Sequence, residues 1–155
     1  MDKEQFRLWC VQHELQPQQA AKVLGLAQAQ VYRLLNPKLE NRPTEHIALH
    51  CEVINRLSSS KALNLITERL LSTQDSFNLL RDNFDLRGWL NAYSLDVSDT
   101  KIVLGKAAST IYPILTGKPP TLGLVLLCKA IDSLGHDEAH LFVVRQQMLN
   151  KGIDD

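Results

Sequence analysis

Apolar residues recur along this chain at helical spacing, and no stretch alternates as a half-buried strand does. Residues 3 to 15 place Phe6, Trp9, Cys10 and His13 along one face of a first helix. Gln16 and Pro17 open a second helix that runs to Leu24, with Pro17 where its missing N–H is harmless. Gly25 ends that helix because the turn needs a positive φ. A third helix is expected at 28 to 35. After the loop 36 to 43, Thr44 caps a fourth helix with the stripe Ile47, Cys51, Ile54 and Leu57. A fifth, 60 to 71, carries Leu63, Leu65, Ile66 and Leu70. The same plan returns at 85 to 95, 97 to 104, 108 to 116, 121 to 134 and 137 to 150. Its fourth helix bears Leu124, Cys128, Ile131 and Leu134, and Asp96 and Asp99 stand at capping-box spacing before its second. Between the two sets, 72 to 76 is polar without Gly or Pro. Phe77, Leu79, Leu80 and Phe84 are expected to pack the sets together as a rigid pair.

The residues recur as well as the pattern. At an offset of 80, Arg7/Arg87, Trp9/Trp89, Leu24/Leu104, Gly25/Gly105, Tyr32/Tyr112 and Leu35/Leu115 are identical. The third loop is three residues shorter in the second copy, and the offset becomes 77. Pro43/Pro120, Thr44/Thr121, Cys51/Cys128, Ile54/Ile131 and Leu57/Leu134 then match. The chain reads as a tandem duplication of one small helical unit, with domains at 1–73 and 74–155. Units of that size bury a modest core, more safely when packed together.

Composition narrows the function. A hydrophobic fraction of 45% suits a globular protein. No apolar stretch is long enough to span a membrane and no secretory-type start is present, so a cytoplasmic protein without a membrane partner is expected. Cys10, Cys51 and Cys128 lack zinc-ligand spacing and suit small buried apolar roles. Lys plus Arg equals Asp plus Glu, 17 each, so no global basic field announces nucleic acid. Locally the balance tips: residues 86 to 134 hold five basic and three acidic side chains. His46/His50 and His136/His140 stand four apart on helices, but no third ligand is near, so neither metal nor cofactor is expected. No phosphate loop, nucleophile–base set or paired carboxylates stand out, and an enzyme is not expected.

Residues 18 to 34 carry the signature of a helix-turn-helix. Ala21 is the small residue at the crossing, Gly25 makes the turn four residues later, and Leu24, Leu26, Val31 and Leu34 pin the second helix. The segment resembles the lambda-repressor-like (Cro and repressor type) helix-turn-helix family, across the five-helix plan and most of both units. Asn36-Pro37-Lys38 and Thr116-Gly117-Lys118 look like that family's Asn-Gly-Lys, each with one departure. The fold class expected is all-α, two tandem five-helix domains of this type packed together.

The resemblance implies double-stranded DNA as the partner. Helix three of the first unit would enter the major groove, exposing Gln28, Ala29, Gln30, Tyr32 and Arg33. Gln28 is placed to pair with adenine, and Arg33 with guanine or a phosphate. Tyr32 would touch a phosphate or a thymine methyl. Gln18 or Gln19, together with Asn36, Lys38 and Arg42, would hold phosphates and set register. Without the resemblance, surface glutamines are ordinarily just solvated and a helix-turn-helix serves as plain packing.

The second unit departs where it matters. Lys101 replaces the small residue and should open the crossing unless its stem points outward. Lys106 stands at a pinning position, and Pro113, opposite Arg33, is expected to kink or end the recognition helix. Ala108, Ser109, Thr110, Tyr112 and Lys118 remain as a weaker DNA-binding or partner surface. The function expected is a sequence-specific transcriptional regulator, a repressor of a phage, plasmid or other mobile element by resemblance. It is expected as a homodimer held through unit two or a last helix bearing Leu141, Phe142, Val144 and Met148. The alternative is a protein-interaction module that has lost DNA and acts on a host protein.

Overall fold

The protein, described as a computed structural model over residues 1–150 with the side chain of Asn150 excepted, is all-helical. The last five residues of the expected second domain, 151–155, lie outside the described residues. Among the described residues no strand forms. The first half holds α1 (Lys3–Gln12), α2 (Pro17–Leu24), α3 (Gln28–Leu35), α4 (Glu45–Arg56) and α5 (Ser59–Leu71). Then come α6 (Gln74–Asp82), α7 (Leu86–Ala92), a 3-10 turn Val97–Asp99, α8 (Thr100–Leu104), α9 (Ala108–Leu115), α10 (Leu122–Ser133) and α11 (His136–Asn150).

Local chemistry sets the boundaries, and the same devices recur at the same register. Gly25 (φ 69°) and Gly105 (φ 67°) close α2 and α8 in the left-handed region. The hydroxyls of Thr44 and Thr121 accept from the N–H of Ile47 and Leu124, each 3.3 Å away, and so start α4 and α10. Gln19 accepts from the Gln16 N–H at 2.8 Å, as Asp99 does from Asp96 at 3.0 Å. The expected first helices, 3 to 15 and 85 to 95, stop early at Gln12 and Ala92. Glu14 (φ 56°) and Ser94 (φ 55°) take the left-handed conformation there, and Leu15 and Leu95 donate back to Cys10 and Leu90, closing the ends in a Schellman pattern.

Two hydrophobic clusters form. One gathers Phe6, Trp9, Leu24, Val31, Ile47, Cys51 and Ile54, the other Trp89, Leu104, Ile111, Leu124, Cys128, Ile131 and Phe142. Val53 of α4 enters the second cluster, while Leu134 of α10 packs against both. The helices α4 and α10 pack against each other between the clusters. Gly123 to Cys128, Ala130 and Ile131 of α10 are all buried. Each large aliphatic in such a position contributes about 1.5–3 kcal/mol relative to exposure.

The junction is reciprocal. A side chain at Gly25 would lie 2.7 Å from the backbone nitrogen of Gly123, and one at Gly105 would overlap the backbone of His46. Gly123 is 77 residues beyond His46, so each turn glycine abuts the start of the other half's fourth helix. Likewise α2 packs on α10 while α8 packs on α4. The imidazole Nδ1 of His46 lies 2.8 Å from the Leu104 carbonyl, and its ring is buried. Arg69, 5% exposed, locks the same seam from α5. It donates to the carbonyls of Val23 (2.7 Å) and Leu126 (2.7 Å) and lies 2.9 Å from His50 Nε2. Burial lowers its pKa to about 9, which still leaves it charged at neutral pH.

The structure differs from the expected elements and packing in five places. The connector contains a helix, α6, begun by the Thr73 hydroxyl accepting from the Ser76 N–H at 3.1 Å. Phe77 is buried there, but Leu79 faces solvent. Leu63 is exposed, because the buried stripe of α5 runs through Ala62, Ile66 and Arg69 and leaves Leu63 one step outside. The expected helix 97 to 104 begins as a 3-10 turn, and α8 proper has five residues. Phe142 is buried in the second cluster and offers no surface to another chain, whereas Leu141 and Val144 are exposed.

Candidate nucleic-acid interface

Helix α3 packs against α2 and α1 and turns its other side to solvent. Val31 and Leu34 are its buried residues, three apart, so the opposite side carries Ala29, Tyr32 and Arg33, with Gln28 on the flank of that face in the first turn, all exposed. Tyr32 is 53% exposed, which removes the ordinary packing role of a helical tyrosine. Gln30 is half-buried. Asn36, Lys38 and Arg42 follow on the exposed loop, and Arg33, Lys38 and Arg42 form no ion pair among the described residues. Asn36 folds its own loop, its Oδ1 accepting from the Lys38 N–H at 3.0 Å. At the start of α2, Gln18 is exposed, while Gln19 is half-buried with its Oε1 committed to the Gln16 N–H.

A residue that motif reasoning passed over positions this surface. Lys3 Nζ donates to the carbonyls of Arg33 (2.8 Å) and Leu34 (3.0 Å) and to Asn41 Oδ1 (2.7 Å). Its charge meets the negative end of α3 and ties the helix to its loop. Nothing in the local sequence marks it, since its partners lie some 30 residues away.

The second half offers a less charged version. Ser109, Thr110, Tyr112 and Lys118 are exposed and Ala108 is half-buried. Of the two outcomes expected of Pro113, a kink or an end, the end does not occur: Pro113 lies inside α9, which runs to Leu115 with the same length as α3. The backbone acceptor that proline leaves without a helical donor belongs to Ser109, which is exposed to water, so the loss is cheap. Thr116 then closes the helix, its hydroxyl donating toward the carbonyls of Tyr112 (3.2 Å) and Pro113 (3.1 Å). Lys101 does not wedge the crossing apart. Its side chain is 59% exposed and reaches Glu45 of α4 at 3.4 Å. Lys106 is half-buried at the pinning position, its carbonyl accepting from Thr100 Oγ1 at 2.9 Å, and burial lowers its pKa.

The histidines and cysteines do other work. His46 and His50 are both buried, and desolvation pulls the first to about 4 and the second well below the ordinary value, so both are neutral. The His140 ring lies tilted against Tyr93, centroids 4.7 Å apart; the Tyr93 hydroxyl donates to Asp132 Oδ1 at 2.6 Å, beside Trp89 Nε1 donating to the same oxygen at 3.0 Å. At the equivalent positions, His13 Nε2 lies 2.9 Å from Asn55 Oδ1, while the Trp9 indole N–H has no partner among the described residues. The three thiols are buried and unbonded, and burial raises Cys10 to about 11, which keeps it an unreactive thiol. Among the described residues no helix is long and apolar enough to cross a membrane.

No protein-family model, curated protein or solved structure matches this chain.

Proposed function

We propose that the chain is a cytoplasmic, sequence-specific DNA-binding regulator, a repressor, built from two tandem five-helix units of the lambda-repressor-like type. The observation that carries this is the outward face of α3. An exposed Gln28, Ala29, Tyr32 and Arg33 continue into an unpaired Lys38 and Arg42, on a helix seated by a left-handed Gly25 turn. Gln28 near the helix start has the amide geometry to pair with an adenine edge, and the three cations supply phosphate contacts. Regulation follows from occupancy, a bound operator being closed to polymerase or a neighbouring activator. The unit around α9 has the same helix length but no cation on its face until Lys118, and it serves phosphate or partner contacts. A single reading helix is too small for tight specific binding, so two chains share a palindromic site, held together through Leu141 and Val144.

A gel shift against DNA upstream of the chain's own gene, at 50 and 200 mM salt, tests the proposal. Three phosphate contacts from each of the two chains predict a loss on the order of 10³-fold between those concentrations, from a slope near −0.9 per contact. A second reading, a protein-interaction module on the same scaffold, draws on two observations. Net charge is zero, and both turn glycines lie against the opposite half instead of standing free.

A further inference from the structure

The far end of the third helix is finished differently in the two halves. In the first, Lys3 reaches from the start of α1 to the carbonyls of Arg33 and Leu34 and to Asn41. Asn83 holds the matching position 80 residues on. There the equivalent carbonyls, of Pro113 and Ile114, accept from the Lys118 N–H (2.9 Å) and the Gly117 N–H (3.2 Å). A cleft of about 400 Å³ lies between the α6–α7 junction and the loop from α9 to α10, lined by half-buried Phe84, Ile114 and Leu115. Arg81, Arg87 and Lys118 stand on it. Arg81 Nε donates to the Pro120 carbonyl at 3.1 Å, which orients the guanidinium and leaves both Nη groups without a partner among the described residues. Arg87 is the twin of Arg7, which Glu4 holds at 3.0 Å. Phe84 replaces that glutamate, so Arg87, like Lys118, is exposed and forms no ion pair among the described residues. Asp82 and Asp85 line the same cleft. Asp85 Oδ1 accepts from the Gly88 N–H at 2.9 Å and so serves the start of α7, and the cations outnumber the carboxylates three to two.

We propose that this cleft is a phosphate-binding site and that its ligand is a phosphodiester of the DNA backbone. The second unit then grips the duplex that α3 is proposed to read, without reading bases itself. The choice of DNA rests on that reading of α3; the affinity for phosphate does not. Two features fit a phosphodiester. The fixed Arg81 fork can meet two phosphate oxygens at once, with Arg87 and Lys118 as further charges beside it. A side chain at Gly117 would meet nothing within 4 Å, so a ligand can come close to the loop backbone beside Lys118. The place in the fold favours DNA over another anion. Lys118 is five residues before Gly123, whose backbone nitrogen lies 2.7 Å from where a Gly25 side chain would be. At most about 18 Å of chain therefore separates the cleft's loop from that contact with the turn that opens α3, well under one DNA turn of about 34–36 Å. Cations are thus supplied twice, by Arg33, Lys38 and Arg42 beside α3 and by the cleft beside α9, whose own face carries none before Lys118.

The test is an NMR titration of the ¹⁵N-labelled full chain at low salt with three probes: a short DNA duplex of arbitrary sequence, inorganic phosphate and a hexaglutamate peptide. The duplex is expected to shift, saturably, the Nε–Hε signals of Arg81 and Arg87 and the amides of Gly117 and Lys118, together with those of α3. Arg87→Gln and Lys118→Gln, both at exposed positions, are each expected to weaken duplex binding about threefold. Arg145→Gln, an exposed cation on α11 that lines no part of the cleft, is expected to leave it unchanged. Thermal melts verify that all three variants are folded. Duplex shifts on α3 with none in the cleft overturn the proposal and leave α3 as the reader. Duplex shifts in the cleft with none on α3 overturn the reading of α3 and leave the proposal standing. Cleft shifts with hexaglutamate but not with the duplex make the partner an acidic protein segment, and with phosphate alone a free phosphate; either result overturns the assignment to DNA. No cleft shift with any probe overturns the proposal outright, as does equal duplex binding by Arg87→Gln, Lys118→Gln and Arg145→Gln.

Discussion

Replacing Gly25 by alanine probes the seam between the halves at one methyl group. Two costs arise, and they can be separated. The first is backbone strain: φ is +69°, and a non-glycine residue in the left-handed region costs about 1–2 kcal/mol. The protein tolerates such strain at Glu14 and Ser94, so strain alone is survivable. The second is overlap, because the new Cβ would sit 2.7 Å from the nitrogen of Gly123, 2.9 Å from its Cα and 3.0 Å from the carbonyl carbon of Leu122. All three are backbone atoms of a buried helix start, so no side chain can swing aside. Forcing such a contact costs about 1–3 kcal/mol beyond the strain. Gly135→Ala isolates the first cost, since its φ is +93° and its nearest neighbour is the flexible Lys61 Nζ at 3.9 Å. Denaturant unfolding should therefore place Gly25→Ala and Gly105→Ala below parent by about 2–5 kcal/mol, and Gly135→Ala by about 1–2 kcal/mol. Since both junction glycines press on the same pair of packed helices, the double variant should lose less than the sum of the singles. If Gly25→Ala costs no more than Gly135→Ala, the reciprocal seam is wrong.

Acid should loosen the same seam. His46 has its folded pKa lowered to about 4 by burial, so the unfolded chain binds the extra proton first. Stability is full above about pH 6.5 and falls toward pH 4 by about 3 kcal/mol from this group alone, visible as a declining unfolding midpoint that His46→Gln flattens. Trp9→Ala and Trp89→Ala should each cost about 3–5 kcal/mol in thermal or denaturant melts, both rings being nearly fully buried at equivalent positions; a melt unchanged by either contradicts the equivalence. Lys3→Met should weaken DNA binding without altering base preference, since it holds the end of α3 through two carbonyls; an altered preference in a binding-site selection would give Lys3 a direct contact instead.

Much of the fold was legible because its signals are local. Pro17, Thr44, Thr121 and the two turn glycines each act within one helical turn, and each sits where the pattern put it. The helix ends at Gln12 and Ala92 were missed because Glu14 and Ser94 take a glycine-like conformation without being glycine. Helix α6 was missed because the duplication has no counterpart for it, and because Phe77 and Leu80 span only one turn of apolar periodicity. For Lys101 the sequence leaves both a wedge and an outward stem open, because the choice depends on Glu45, which lies 56 positions earlier in the chain and across the seam. Nothing in the sequence singles out Arg69 of α5, since the carbonyls that hold it belong to α2 and α10. At the candidate site the exposed face of α3 follows from spacing alone, but its support by Lys3 is a tertiary contact that spacing does not encode.

The most direct test of the DNA-binding account is fluorescence anisotropy on operator fragments recovered by binding-site selection, with the parent chain, Gln28→Ala, Arg33→Ala and Lys38→Ala compared across a salt series. Loss of the Gln28 amide should relax preference at one base pair, costing about 1–3 kcal/mol on the preferred sequence and little on others. Lys38→Ala should weaken all sequences alike and reduce the salt slope by about one. Selection that enriches no sequence, or Gln28→Ala and Arg33→Ala chains that bind the selected operator as the parent does, would contradict α3 as the reading helix.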